Sequence, residues 1–315
     1  MDINNPKILV AGVGGVGGML AAQLIKTYGD SVTLVARGKR AEHLKSHGLT
    51  MNGDLFGDYT VQPACVVENT DGCGIQDLII VSVKNGALEG ITEQFKSAVG
   101  PGTIIMPVMN GVTAADRIHG IFPDAHTMMS VIYTVSMVQD DFTIRQLGRY
   151  TYINAGPVVE NEEERNNLQI CADILNAAGI RTSCSENVKG ACWSKYILNS
   201  AYNGMTAAYD VTIGDIKHSE ELHTMYREIM TEAYNVGTAL GVDLPEDLVD
   251  TNMKKLEKTT DDSTSSLSRD FDRHISGEYL LFGKDISDMG QNVGVETPRI
   301  DAMHEAMLKR IASWE

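Results

Sequence analysis

The stretch KILVAGVGGVGG at residues 7–18 limits what this chain can fold into more than any other. Ile8, Leu9, Val10 and Ala11 form a short apolar run suited to a strand buried on both faces. Gly12, Gly14 and Gly17 complete G-x-G-x-x-G, with Val13, Gly15 and Val16 between them, and residues 19–25 continue as a good helix former. In such a strand–turn–helix, the first glycine allows the tight turn and the second lets the backbone approach a pyrophosphate. The third lets the helix pack close to the strand. The helix start adds unpaired N–H groups and a positive dipole end. A glycine-rich turn without a ligand is the plainer alternative, but strand, loop and helix stand in the order a dinucleotide site needs.

At 315 residues the chain is long for a single core, so two domains are expected. No apolar run reaches the roughly 20 residues of a membrane span. The opening MDINNP has neither the basic nor the apolar part of a leader peptide. Cys65, Cys73, Cys171, Cys184 and Cys192 are scattered with no C-x-x-C pair. That spacing fits reduced thiols in a cytoplasmic protein, with no disulfide framework and no metal. The formal net charge of -16 would repel nucleic acid. A polyanionic cofactor would have to be held by local cations, which makes each well-placed Arg or Lys informative.

Residues 31–35 read as a second strand. An NAD site would carry an acid near its end to bind the ribose 2′-hydroxyl. Here Arg37, Lys39 and Arg40 follow instead, which suits a 2′-phosphate and hence NADP, with Arg37 foremost. The alternative, a solvated helix start, fits the helix dipole poorly. Residues 48–67 contain Asn52-Gly53 and Phe56-Gly57 and read as a small hairpin or edge insertion. Residues 77–83 are the clearest buried strand and lead into Lys84-Asn85. A helix over 86–99 and a strand over 102–106 then deliver Asn110-Gly111. Both polar groups fall at strand ends, where ligands bind in parallel sheets. Helix 112–119, strands near 127–136 and 149–153, a helix over 162–178 and a short strand at 180–183 complete an α/β unit. The boundary falls near Ser185, giving domains 1–185 and 186–315.

The second domain reads as almost wholly helical. Lys195, Asn199 and Asn203 recur at helical spacing as one polar stripe. Trp193, Ile197, Leu198, Ala201 and Tyr202 cover most of the remaining circumference, so the stripe is expected to face a polar cavity rather than solvent. Farther on, Ser265-Ser266 and Asp270 precede Glu278, which is followed directly by apolar residues. Spacing leaves Glu278 equally open to a cleft or to solvent.

Taken together, the glycine loop, Arg37, Val83-Lys84, Asn110-Gly111, Trp193-Ser194-Lys195 with Asn199 and Asn203, Ser265-Ser266 with Asp270, Glu278 and the closing GVETP resemble the NADPH-using ketopantoate reductases (2-dehydropantoate 2-reductases) over nearly the whole chain. The resemblance implies a Rossmann-type doubly wound α/β domain and a helical C-terminal domain like that of 6-phosphogluconate dehydrogenase, with the active site between them. It makes Lys195 the general acid that protonates the substrate carbonyl, with Glu278 orienting it. Asn199, Asn203 and Ser266 would bind the substrate's polar groups. Lys84 would line the cofactor cleft and Asn110 would fix the lysine or the nicotinamide. A lysine suits this acid role, because partial burial lowers its pKa toward neutrality and its cation stabilises a developing alkoxide.

Three departures lie in regions expected near the substrate. Gly283-Lys284 stands where the family usually has Asn-Gly, and Ile213 and Ser263 stand where Asn is frequent. The expected activity is therefore NADPH-dependent reduction of 2-dehydropantoate to pantoate, toward coenzyme A, with a reductase or dehydrogenase of another 2-oxo acid as the rival. A non-catalytic NADP-binding regulator is a third reading, against which retention of Lys195 and Glu278 argues. A helical second domain could support a homodimer, although exposed apolar area is invisible in a sequence.

Overall fold

The computed structural model describes residues 4–314; Met1, Asp2 and Ile3, half of the stretch read for a leader, lie outside the described residues. The chain divides into two compact units, one ending at Val188 and one starting at Lys189.

The first unit opens with β1 (Ile8–Ala11), α1 (Gly15–Tyr28), β2 (Val32–Val35) and α2 (Gly38–His47). It continues through β3 (Leu49–Gly53), β4 (Gly57–Val61), β5 (Cys65–Val67), β6 (Leu78–Val81), α3 (Leu88–Phe95), β7 (Ile104–Pro107) and α4 (Ala114–Ile121). It closes with β8 (His126–Val138), β9 (Ile144–Pro157), α5 (Glu162–Ala177) and β10 (Arg181–Cys184). One sheet runs β4-β3-β9-β8-β7-β6-β1-β2-β5, with β10 beside β9. The strands from β5 to β8 pair in parallel, while β8–β9 and β3–β4 are antiparallel.

Every residue of β1, β6 and β7 is buried because successive side chains enter different cores. Ile8 and Val10 join a core with residues of α1, α2 and α5, whereas Leu9 and Ala11 join Ile79, Val81 and the apolar faces of α3 and α4. Helices thus cover both faces, as the doubly wound reading requires. Strand β1 lies between β2 and β6, so the chain leaves it on one side and returns on the other. The carboxyl end of β1 is therefore the switch point, where this architecture binds ligands.

Two expectations are corrected in this unit. The hairpin read over 48–67 covers β3 and β4 only, while β5 pairs in parallel with β2 at the opposite edge of the sheet. Local alternation cannot reveal that change of partner, since strand pairing is a long-range choice. The helix read over 86–99 is α3 flanked by short 3-10 turns at Asn85–Ala87 and Lys96–Ala98.

The second unit consists of α6 (Val188–Tyr209, its first residue in the first unit), α7 (Ile213–His218), α8 (Glu220–Ala239), α9 (Leu248–Lys258), α10 (Ser266–Asp272), α11 (Lys284–Val293) and α12 (Pro298–Ala312). It contains no strand among the described residues. Trp193, Tyr196, Ile197, Ala201 and Met205 make α6 the buried centre of this unit. Gly237 lets α8 pass close by, since a Cβ there would lie 2.8 Å from the Trp193 ring. No helix among the described residues is long and apolar enough to cross a membrane.

Candidate active site

In the first unit, sheet register aligns the candidate residues. Ala11 pairs with Val35 and with Val81, and Val81 pairs with Pro107, so β1, β2, β6 and β7 end level with one another. The glycine loop, Arg37, Lys84 and Asn110 each follow one of these strands within a few residues and share its carboxyl edge. The loop's shape needs its glycines in different ways. Gly12 has φ 95°, and a Cβ there would lie 2.6 Å from Val83 Cγ1. A Cβ on Gly17 would collide with the Gly12 carbonyl, and one on Gly15 would lie 2.5 Å from the Ser136 carbonyl. Gly14 differs: a Cβ there meets nothing within 4 Å, and the residue is exposed. The loop is packed from within and open at Gly14, at the N-terminus of α1, the position from which a phosphate would approach. No acid occupies the first turn of α1 to compete for it.

Arg37 is exposed at the N-cap of α2, and its side chain does not cap the helix. Lys84 is exposed beyond β6, and Asn110 is half-buried beyond β7. Two further contacts hold the loop, and sequence reasoning missed them. A register shift in β8 between Tyr133 and Val135 precedes Ser136, whose Oγ donates to the Gly15 carbonyl at 2.9 Å. Arg40 Nε donates to the Val13 carbonyl at 3.1 Å. Neither role has a local sequence signal.

In the second unit, α6 carries Lys195 beside a buried aromatic flank. Burial pushes the Lys195 ammonium down to about 8, and nearby Cys192 and Glu278 pull in the opposite direction. Glu278 is only 9% exposed, which decides for a protected carboxylate over a solvated one. It lies in a turn between α10 and α11 rather than on a helix, and its charge also acts on the buried Tyr196 hydroxyl. Tyr196 donates to the Leu281 carbonyl at 2.5 Å, tying that turn to α6. Cys192 stands three residues before Lys195 on α6, a spacing that puts both on one face and could have flagged it.

Asn203 is buried, donating from Nδ2 to the Asn199 carbonyl at 3.2 Å and accepting from Ser266 Oγ at 3.1 Å. Asn199 is half-buried and Ser266 exposed. Ser265 caps α10 and receives the Thr206 hydroxyl at 2.7 Å, so the start of α10 is anchored on α6. The structure therefore groups Lys195 with Glu278, and Asn203 with Ser266. The departing residues have structural partners of their own. Ile213 is fully buried and its N–H donates to the Ser263 carbonyl at 3.1 Å. Gly283 leaves room for His304, whose Nδ1 would lie 2.6 Å from an added Cβ, and Lys284 pairs at the surface with Asp288 at 2.6 Å.

A lysine whose pKa burial lowers, with a buried carboxylate acting on it, is a group able to give up a proton near neutral pH. Comparison with known proteins supplies the family. Residues 8–160 match the family described as ketopantoate reductase PanE/ApbA, and residues 187–310 match its C-terminal part. The chain belongs to the ketopantoate reductase family. It is accordingly an oxidoreductase acting on a CH–OH/C=O group. A 2-dehydropantoate 2-reductase of Mesorhizobium japonicum is 25% identical over 326 residues, covering 97% of this chain and 98% of its own length. The 2-dehydropantoate 2-reductase structure from Methylococcus capsulatus superposes with a TM-score of 0.84 at 25% identity, covering 98% of both chains. The fold also extends to a D-mandelate dehydrogenase bound to NADH and anilino(oxo)acetate, with a TM-score of 0.85 at 21% identity over 97% of this chain and 98% of the other.

Proposed function

We propose that this ketopantoate reductase family member reduces a 2-oxo acid with NADPH, 2-dehydropantoate being the preferred substrate and pantoate the product. The observation that carries the reading is Lys195, whose ammonium is brought to about 8 by burial beside the protected Glu278. An acid poised near the working pH transfers its proton readily, and its cation stabilises the alkoxide that develops on the carbonyl oxygen.

The residues of the first unit fit the cofactor. The opening at Gly14 and the acid-free start of α1 suit a pyrophosphate, and Arg37 in place of an acid after β2 suits a 2′-phosphate. Lys84 and Asn110 flank that edge. When bound, NADPH supplies the hydride. Lys195 donates a proton to the carbonyl oxygen, Glu278 orients the ammonium, and Asn199, Asn203 and Ser266 hold the substrate's polar groups.

The test is NADPH consumption with 2-dehydropantoate against a panel of other 2-oxo acids, using wild type and Lys195→Ala. The variant is expected to lose about 10²–10⁴-fold in turnover, as for the loss of a general acid, with NADPH affinity nearly unchanged. Surviving turnover would remove Lys195 from the acid role, and tight NADPH binding without turnover of any 2-oxo acid would leave a regulatory protein. A second reading, reduction of a different 2-oxo acid, draws on the apolar Ile213 and the Gly283-Lys284 pair. Turnover of another acid in preference to 2-dehydropantoate would establish it.

A further inference from the structure

Three cations follow β2, and the structure separates them. Arg37 and Lys39 are exposed, whereas the Arg40 guanidinium turns inward from the first turn of α2. Its Nε donates to the Val13 carbonyl of the glycine loop at 3.1 Å, and its Nη1 donates to the Phe142 carbonyl at 2.8 Å. Its Nη2 is buried without a hydrogen-bond partner, 3.6 Å from where a Gly18 Cβ would lie. The guanidinium also lies 5.6 Å from the centroid of the Phe142 ring. Phe142 sits at the tip of the turn joining β8 to β9, with a left-handed φ of 67°. His43 of α2 packs on the same ring at 4.9 Å. The β8–β9 pair meets the glycine loop a second time through Ser136 and Gly15, and a third through Ile144 and Gly18. The loop is thus gripped between the start of α2 and the Phe142 turn, and Arg40 bonds to both the loop and the turn.

A guanidinium with one nitrogen unsatisfied is costly to bury, and burial lowers the Arg40 pKa to about 10. What it supplies in return is geometric. Its planar fork holds two donor nitrogens at a fixed separation, one for each carbonyl, a geometry that the single nitrogen of lysine does not reproduce. We propose that Arg40 is a positioning residue that fixes the glycine loop in its cofactor-accepting shape by bridging Val13 to the Phe142 turn. Its consequence for binding rests on the NADPH reading above, but the bridge itself does not.

The test compares wild type with Arg40→Met and Arg40→Lys by NADPH titration, steady-state kinetics and amide hydrogen exchange without cofactor. Both variants are expected to raise the Kd and KM for NADPH about tenfold, the effect of losing one charge-assisted hydrogen bond, with kcat at saturating NADPH within about twofold. Exchange should accelerate at residues 13–18 and around Phe142. Unchanged affinity and unchanged exchange in Arg40→Met would overturn the proposal. So would full restoration by Arg40→Lys, which would make charge the agent rather than the fork. If wild type binds no NADPH, the exchange measurement alone decides the bridge, and only the cofactor reading falls. Should Arg40→Met fail to fold, Arg40→Lys carries both measurements.

Discussion

Glu278→Gln probes the pairing on which the proposed chemistry depends, because it removes a charge while keeping shape. Burial takes Lys195 from 10.5 to about 8. That change is worth roughly 3 kcal/mol against the charged form, at about 1.4 kcal/mol per pH unit. The Glu278 carboxylate opposes it, as does Cys192. Without the carboxylate the ammonium is less favoured, and its pKa should fall further, by about one pH unit, the lower end of what one close opposite charge contributes. Under the proposed mechanism, reduction requires the protonated lysine. Its kcat/KM should therefore decline in wild type as pH rises above about 8, and in Glu278→Gln above about 7. The assay is the initial rate of NADPH consumption at low 2-oxo acid concentration, from about pH 6 to about 10. An unmoved or upward-moved limb in the variant would show that Glu278 does not act on Lys195, and a wild-type profile flat to high pH would remove Lys195 as the acid. Folding stability should respond in the opposite direction. Below about 8 the lysine is charged in both folded and unfolded chains, so its burial cost is constant; between about 8 and 10.5 the unfolded chain binds more protons, and stability rises with pH.

Arg37→Ala should weaken NADPH by at least about tenfold, consistent with one lost charged contact, while changing NADH little; equal losses in paired titrations would remove the 2′-phosphate role. Gly14→Ala and Gly17→Ala should part company. The first adds a methyl into open space, so the melting temperature should barely change while NADPH binding weakens. The second drives a methyl into the Gly12 carbonyl and should cost roughly 1–3 kcal/mol in denaturant unfolding. Equal destabilisation by both would contradict the open cradle at Gly14.

The expected elements of the first unit were legible because their signals are local. Buried four-residue runs such as Ile8–Ala11 and Leu78–Val81 have one structural solution in a sheet covered on both faces, and the glycine spacing fixes a turn and a helix start. The stripe of Lys195, Asn199 and Asn203 follows from helical period, and the structure keeps Asn203 buried against Ser266. The resemblance singled out Glu278, but its burial was not legible. Its sequence neighbours say nothing about exposure, and its shelter comes from a turn held to α6 by Tyr196. The parallel pairing of β5 was hidden for the same reason.

By itself, the sequence determined the doubly wound first unit, the helical second unit, and the residue types available for the proposed proton transfer. Those features arise from period, turn chemistry and burial preference, which neighbouring residues settle among themselves. Only the tertiary structure decided that Lys195 has Glu278 beside it, and that Arg40 serves the glycine loop while Arg37 faces outward. Desolvation and charge act through space, so the chemistry of a side chain depends on groups that packing brings to it from distant parts of the chain.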